Sequence, residues 1–338
     1  MIDEFLRTEI DLGSFPGASY AVGSTREIER IGALGNAVVV PVRIPATTET
    51  IYDCASVTKA LVTTALVLQA VEEGRLTLEQ EFHGFPVQRL LTHTSGLRAW
   101  TPLYADGDYL AQILAEGAEY EPGSQVVYSD LNFILLWYLL TETFGDYSAA
   151  ARERIFDRLG IAEEAMFHPP ATLLPRIAAT EFGQRFEVQK LAKRSHIEGS
   201  REGLMWGETN DGNSWHHGGT AGNAGLFATA RAAYRIVQGW LDGTLVSRPL
   251  FELATRNHTP GLNENRGLGW QLRSNGNRAT KMLSEGSFGH MGFTGTSVWC
   301  DPVRDRVMVL LTNRVHPCAA PIAMQAVRGK FHELAIES

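Results

Sequence analysis

Apolar and polar positions follow two different patterns along the chain, and each pattern predicts a class of element. Near the N-terminus, β-branched and apolar residues gather between turn residues, which indicates strands. After residue 85 the apolar residues recur at intervals of three and four, which indicates helices as far as residue 165. The predicted elements are a helix over residues 2–12, strands over Ala18–Val22, Glu27–Ile31 and Ala37–Val42, and helices over Pro86–Leu91, Tyr109–Glu116, Leu131–Phe144 and Ala149–Leu159.

Strand patterns return near the C-terminus. Gly295–Cys300 and Arg306–Thr312 flank a turn, which predicts an antiparallel hairpin, and a final helix is expected over residues 319–335. Strands and helices at both ends, around a helical middle, predict an α+β fold. We expect one domain built from residues 1–80 and 245–338, a mostly helical insertion domain with long loops over residues 81–244, and a cleft between them. The polar, glycine-rich residues 195–225 are a candidate loop beside that cleft.

A serine and a lysine three residues apart stand where one apolar run begins. The spacing of apolar residues after position 60, with Gly74 as a stop, predicts a helix of roughly seventeen residues that starts at Ser56. In its first turn Ser56 and Lys59 share one face, where backbone N–H groups and the helix dipole favour negative charge. A serine nucleophile needs such a neighbouring base or cation. The alternative interpretation is a capping serine followed by a solvated lysine.

Composition excludes several classes of function. The chain has 338 residues, 44% of them hydrophobic, and a net charge of -8 without a basic run, so we expect a globular protein that does not bind nucleic acid. No apolar run is long enough to span a membrane, and the N-terminus lacks an export pattern, which predicts a cytoplasmic protein without a membrane partner. The oligomeric state is not readable from the sequence.

Cysteines and histidines give no metal pattern. Cys54, Cys300 and Cys318 are odd in number and widely spaced, so we expect buried free thiols rather than disulfides or a zinc site. His332-Glu333 lacks a second histidine at helical zinc spacing, and the adjacent rings of His216-His217 point in different directions in any regular element. We therefore expect no metal and no cofactor.

Two further stretches carry candidate chemistry. Tyr128 and Asp130 begin a predicted helix, where Asp130 or Ser129 is alternatively only a helix cap. His290 and Gly292 lie just before the terminal hairpin, where the alternative is a tight turn or a bulge with an incidental histidine.

Taken in order, Ser56-x-x-Lys59, Tyr128-x-Asp130 and His290-x-Gly292 resemble the three motifs of serine β-lactamases and penicillin-binding proteins. The nearest match is the class C branch, which includes DD-carboxypeptidases, D-aminopeptidases and family VIII carboxylesterases. Residues 90–97 (Leu-Leu-Thr-His-Thr-Ser-Gly-Leu) and 218–227 (Gly-Gly-Thr-Ala-Gly-Asn-Ala-Gly-Leu-Phe) are similar to phrases of the same family, so the resemblance covers most of residues 15–315. It implies a β-lactamase/transpeptidase-like fold, with an antiparallel sheet flanked by helices.

The resemblance also implies a role for each matched residue. Ser56 would be the nucleophile that forms an acyl-enzyme, and Lys59 and Tyr128 would handle its proton. The oxyanion hole would be the backbone N–H groups of Ser56 and Phe293. Asp130, His290 and Gly292 would line the substrate-binding site, whereas His93 and the glycines of residues 218–225 are expected to be structural.

Two positions depart from the family pattern. Asp130 replaces an asparagine, so an amide donor becomes a carboxylate, which we expect to pair with Lys59 and hold it protonated. His290 replaces a lysine, so the permanent cation for a substrate carboxylate is absent there.

These departures favour a serine hydrolase of small esters over one of D-amino-acid amides. A DD-carboxypeptidase, a D-aminopeptidase or a β-lactamase stays as an alternative. A weakly catalytic or non-catalytic module that senses peptidoglycan or β-lactams is the alternative outside enzymes.

Overall fold

In the computed structural model, residues 1–105, 107–185, 187, 200–274, 276–318 and 323–338 are described. Their largest element is a seven-stranded sheet with the order β3-β2-β1-β12-β11-β10-β9, in which every pairing is antiparallel. Helices cover it, so the predicted α+β class with an antiparallel sheet is confirmed. The strands of the described residues are β1 (Gly17–Gly23), β2 (Ile28–Val38), β3 (Ile44–Pro45), β4 (Tyr52–Asp53), β5 (Glu81–Phe82), β6 (Phe85–Pro86), β7 (Ala165–Met166), β8 (Phe227–Ala228), β9 (Gln271–Leu272), β10 (Phe288–Met291), β11 (Ser297–Asp301) and β12 (Arg306–Thr312).

Among the described residues there are two stretches of 3₁₀ helix, Leu103–Ala105 and Ala171–Arg176, and two of π-helix, Lys59–Thr63 and Arg152–Asp157. The α-helices of the described residues are α1 (Ile2–Asp11), α2 (Thr64–Glu72), α3 (Val87–Leu91), α4 (Tyr109–Glu116), α5 (Asp130–Phe144), α6 (Tyr147–Ala151), α7 (Gly212–His216), α8 (Ala230–Leu241), α9 (Arg248–Thr255) and α10 (Met324–Ile336). Within the described residues, no helix is both long and apolar enough to cross a membrane.

The two ends of the chain meet in the middle of the sheet. Strand β1 pairs with β12 from Ala18 opposite Thr312 to Gly23 opposite Val307. Because side chains alternate along a strand, one face carries Leu310 toward the first and last helices, α1 and α10, and the other carries Leu311 toward α8. The sheet is therefore sandwiched between helices.

The predicted hairpin near the C-terminus is confirmed. Its strands are β11 and β12, which pair from Ser297 opposite Leu310 to Asp301 opposite Arg306. Gly295 lies in the turn before β11, not in the strand as expected, because it adopts a φ of 104°. The final helix was predicted from residue 319, but residues 319–322 lie outside the described residues, and α10 begins at Met324.

Two of the predicted N-terminal strands are wrong as separate elements. They form the single strand β2, because the glycines between them do not end the strand. Gly32 instead allows close packing, since a Cβ there would lie 2.6 Å from the ring of Tyr20 on β1. Residues 39–42, which were expected to be extended, lie outside the sheet.

Predictions for the helical middle hold better. The predicted bounds of α4 match the observed ones, and α3 and α5 differ from the prediction by one residue. The helix predicted over Ala149–Leu159 is divided between α6 and a π-helical segment. The described residues between 81 and 244 lie mostly in helices and loops, and their division from the rest of the chain as a domain stays a prediction.

The C-terminal helix should contribute strongly to stability. Phe331 is fully buried against the sheet, with its ring 6.1 Å from that of Tyr20. We expect Phe331→Ala to lower the free energy of unfolding by about 3–5 kcal/mol, because it removes apolar contacts and leaves a cavity. Urea denaturation measures the loss. Val303→Ala, at a 73% exposed position, is the control and should change stability by less than about 0.5 kcal/mol. A similar change in both variants would contradict this account.

Candidate active site

A strained turn places Ser56 at the end of a short strand. The strand β4 pairs with β8 and ends at Asp53, whose side chain accepts a hydrogen bond from the Ala55 N–H at 2.7 Å. Ala55 has a φ of 47°, in the left-handed region that residues with a Cβ rarely adopt. The turn aims Ser56 into a cavity of about 730 Å³ that it helps to line.

The helix that follows Ser56 does not begin as a regular α-helix. Its segment Lys59–Thr63 is π-helical, and α2 starts only at Thr64. The Thr64 N–H and hydroxyl both donate to the Lys59 carbonyl, the hydroxyl at 2.7 Å, which stabilises the wider turn. The predicted single α-helix from Ser56 is therefore wrong in its first turns, where a π-turn often marks a functional site.

Lys59 is completely buried, and polar groups surround its ammonium group. Its Nζ lies 2.6 Å from the Asp130 carboxylate, 3.1 Å from the Ser56 Oγ and 2.9 Å from the Asn223 carbonyl. Burial acts to lower the pKa of Lys59, but the charges of Asp130 and Tyr128 outweigh it and raise that pKa. The expected pair between Lys59 and Asp130 is present, and the solvated-lysine alternative is wrong.

Tyr128 lies just before α5, where hydrogen bonds to His93 fix the backbone on both sides of it. Val127 N–H donates to the carbonyl of His93, and Ser129 N–H donates to the His93 Nδ1 at 3.0 Å. The rings of His93 and Tyr128 lie 4.7 Å apart, and the Lys59 Nζ lies 5.1 Å from the centre of the Tyr128 ring. Burial raises the pKa of Tyr128, while Lys59 opposes that rise. His93 thus packs against Tyr128 and binds the backbone on both sides of it, which agrees with the structural role expected for it.

Ser129 and Asp130 lie at the start of α5, as the capping alternative requires, but both side chains have other partners. The Ser129 hydroxyl donates to the carbonyl of Arg98 at 2.6 Å and makes no capping bond. Asp130 turns its carboxylate to Lys59.

The third motif is fastened to the serine turn by two threonines. Thr294 and Thr296 donate from their hydroxyls to the carbonyls of Asp53 and Cys54, at 2.8 and 2.9 Å. Gly292 lies so close that a Cβ there would be 2.5 Å from the Cys54 carbonyl oxygen. Ser56, Gly292 and Phe293 all line the cavity, so the predicted oxyanion groups belong to one site.

His290 lies in strand β10 opposite Val298, in regular register, so the turn or bulge alternative is wrong. Its ring lies 5.8 Å from the Tyr128 ring, and its Nδ1 donates to the Met291 carbonyl at 2.9 Å. Burial, with Lys59 and Arg266 nearby, lowers the pKa of His290 well below its usual value. The side chain is therefore neutral at pH 7.

Acidic side chains also line the cavity, among them Glu187 and Asp211. Asp211 accepts hydrogen bonds from the Ser214 N–H and the Asn223 side chain, at 2.8 and 3.2 Å. Burial, and then the charge of Asp211, raises the pKa of Glu187 to about 7. Part of the predicted loop over residues 195–225, namely Asn210, Asp211 and Ala224, thus lines the cavity, whereas residues 195–199 of that loop lie outside the described residues.

Among the described residues that line the cavity, four are arginines that sequence reasoning did not identify: Arg266, Arg278, Arg314 and Arg328. Arg266 lies 5.3 Å from the centre of the Tyr128 ring and pairs with Glu264 at 2.9 Å. Arg314 donates to the Phe293 carbonyl at 2.6 Å. These arginines share no motif and no regular spacing. Their one signal in the sequence is that they lie near the third motif and the strands β10 to β12.

The described residues hold no cluster of metal-ligating side chains. His332 is buried, with its Nδ1 2.6 Å from the Ala279 carbonyl and its Nε2 3.1 Å from the Ser297 hydroxyl. The rings of His216 and Tyr104 stack at 4.5 Å.

Cys54 and Cys300 are buried free thiols as expected, but Cys318 is exposed, because it lies in the loop after β12.

Comparison with known proteins agrees with this geometry. A family described as Beta-lactamase matches residues 2–328. A "Putative D-alanyl-D-alanine carboxypeptidase" of Escherichia coli O157:H7 is 27% identical over 95% of this chain and 83% of its own length. Two solved structures share the fold. One is an octameric penicillin-binding protein homologue from Pyrococcus abyssi, which is 18% identical, has a TM-score of 0.73 and is matched over 98% of this chain and 76% of that one. The other is EstCE1, described as a hydrolase with promiscuous acyltransferase activity, which is 18% identical, has a TM-score of 0.72 and is matched over 97% of each chain.

The family match spans nearly the whole chain, and the fold and the order of the three motifs agree with it. The chain therefore belongs to the Beta-lactamase family, within the penicillin-binding-protein-like serine hydrolases.

Proposed function

We propose that this protein is a DD-carboxypeptidase-type serine hydrolase, which cleaves an amide bond one residue before a free carboxylate. The supporting observation is the set of four arginines that line the cavity of Ser56. Arginine binds carboxylates through paired N–H donors. The name of the Escherichia coli relative agrees with such a substrate.

The arginines reverse the ranking that the sequence suggested. That ranking rested on Asp130 in place of an asparagine and on His290 in place of a lysine, and the neutral His290 indeed supplies no cation. Positive charge comes instead from Arg266, Arg278 and Arg314, which line the same cavity. A carboxylate-bearing substrate therefore ranks ahead of a neutral ester.

In the proposed reaction, the Ser56 Oγ attacks the substrate carbonyl, and the bond to the leaving amine breaks to give an acyl-enzyme. Lys59, held as an ammonium ion by Asp130, stabilises negative charge on the Oγ from 3.1 Å. The Oγ proton passes to the Tyr128 oxygen, and Tyr128 passes a proton on to the leaving amine, while Lys59 stays charged beside them; water later releases the acyl group by the reverse path. Backbone N–H groups of Ser56 and Phe293 would bind the oxyanion.

A neutral ester is the second candidate substrate. Met291, Phe293 and Met324 give the cavity an apolar wall, which suits an acyl or alcohol group without charge. The structure of EstCE1, described as a hydrolase with acyltransferase activity, has the same fold. A sensor that is acylated without turnover is the remaining alternative.

The nucleophile is tested first. A fluorophosphonate probe should add one label to the wild-type protein and none to Ser56→Ala, as measured by intact-protein mass. The labelled serine should also be required for hydrolysis of substrates. Labelling of the two proteins to the same extent would contradict the serine mechanism, and labelling of the wild type without turnover of any substrate would favour the sensor.

Substrate class is tested with a matched pair of dipeptides. Acetyl-D-Ala-D-Ala should be cleaved with a kcat/KM at least ~10-fold higher than its C-terminal carboxamide, because a hydrogen bond to a charged group contributes about 1.5–3 kcal/mol. Arg278→Gln should reduce this preference, because Arg278 lines the cavity. Arg256 is also exposed but lies outside the cavity, so Arg256→Gln should preserve the preference. Equal cleavage of acid and amide, or faster cleavage of a neutral ester, would favour the esterase.

The pH dependence tests the role of Asp130. Its charge raises the pKa of both Lys59 and Tyr128, so the deprotonated form of either group is scarce at neutral pH. Asp130→Asn removes that charge and lowers both pKa values. The rise of the labelling rate with pH should therefore move to lower pH, measured with the neutral probe between pH 6 and 10. Asp11→Asn, at an exposed position, should leave the profile in place, and an unmoved profile in Asp130→Asn would refute this role.

A further inference from the structure

In the two peptide groups proposed for the oxyanion hole, the carbonyl oxygens are held in a similar way. One is the Ala55–Ser56 peptide and the other is the Gly292–Phe293 peptide. In each, the N–H belongs to a residue that lines the cavity. The carbonyl of the same peptide accepts a short hydrogen bond from a buried side chain that is not among the predicted site residues.

Arg328 serves the Gly292–Phe293 peptide. It lies in α10, is only 6% exposed, and its Nη2 donates to the Gly292 carbonyl at 2.6 Å and to the Thr296 carbonyl at 3.1 Å. Burial, and then the charge of Arg314, lowers the pKa of Arg328 to about 9. The side chain is therefore still a cation at pH 7, and the bond to Gly292 is charge-assisted.

Thr58 serves the Ala55–Ser56 peptide. Its hydroxyl donates to the Ala55 carbonyl at 2.6 Å, and its N–H donates to the same oxygen at 3.0 Å. The hydroxyl oxygen in turn accepts the Leu226 N–H at 3.1 Å, so a chain of donors ends on the Ala55 carbonyl. Thr58 is fully buried, which keeps water from replacing these bonds.

A donor on the carbonyl of a peptide draws electron density toward that oxygen and makes the N–H of the same peptide a stronger donor. The effect is largest when the donor is charged and the surroundings exclude water. We propose that Arg328 and Thr58 are positioning residues of the oxyanion hole, which fix the two peptide planes and strengthen their N–H groups toward the substrate oxygen. This inference rests on the proposed acyl-enzyme function.

Arg314 provides a matched contrast. It is another arginine of the same cavity, and its Nε donates to the Phe293 carbonyl at 2.6 Å. That carbonyl belongs to the next peptide, whose N–H is on Thr294 and is not one of the proposed oxyanion donors. Arg314 and Arg328 thus differ in which peptide they polarise, while each brings one positive charge.

Infrared spectroscopy of the acyl-enzyme gives the test. A cinnamate nitrophenyl ester labelled with ¹³C at its carbonyl would acylate Ser56, and the stretching frequency of that carbonyl falls as the oxyanion donors become stronger. We expect Arg328→Met and Thr58→Val each to raise the frequency toward the value in water. Each should also slow acylation about 10-fold, which is less than the 10²–10³ cost of losing a whole donor. Arg314→Met should leave the frequency unchanged.

The controls separate polarisation from folding. Arg328→Lys keeps a cation and should recover most of the frequency and rate, and thermal unfolding identifies any variant that has lost its structure. If Arg328→Met does not fold, Thr58→Val and Arg328→Lys carry the test. Slower acylation with an unshifted carbonyl, or an equal shift in Arg314→Met, would overturn the inference. A wild-type protein that forms no Ser56 adduct would refute the proposed function instead.

Discussion

The buried ammonium group of Lys59 is the constraint on which the site depends. A cation without water around it costs several kcal/mol unless charged and polar partners surround it. Asp130 at the start of α5, the Asn223 carbonyl in the loop before β8, and Ser56 provide those partners. Three segments far apart in the chain must therefore meet at one point, and their meeting forms the wall of the cavity that holds the serine.

Side chains of both charges line that cavity. Asp211 and Glu187 lie with Asp130 among the lining residues, and burial raises the pKa of both Asp211 and Glu187. The arginines come from the C-terminal part of the chain, beside the third motif. A substrate with a negative group beyond its scissile bond matches these arginines, and this match outweighs the loss of a lysine at position 290 in favour of the proposed peptidase.

The backbone of the site is as well supported as its side chains. Thr294 and Thr296 fasten the third motif to the carbonyls before Ser56, and Arg328 reaches the same motif from the last helix. The two halves of the proposed oxyanion hole follow strands of different sheets, β4 and β10, and these hydrogen bonds join them. Since electrostatic stabilisation depends on donors that are already in place, such fastening suits acyl transfer in this family.

The sequence by itself determined the family, the α+β class, the C-terminal hairpin, helix α4 and the residues of the three motifs. Local pattern suffices for these, because periodicity and motif spacing are properties of neighbouring residues. Tertiary structure decided the rest. It merged two predicted strands into β2 through the packing of Gly32 on Tyr20, widened the turn after Lys59, and buried that lysine against Asp130. It also gathered the cavity arginines, which no sequence pattern links, because burial and long-range contacts arise only when distant segments pack together.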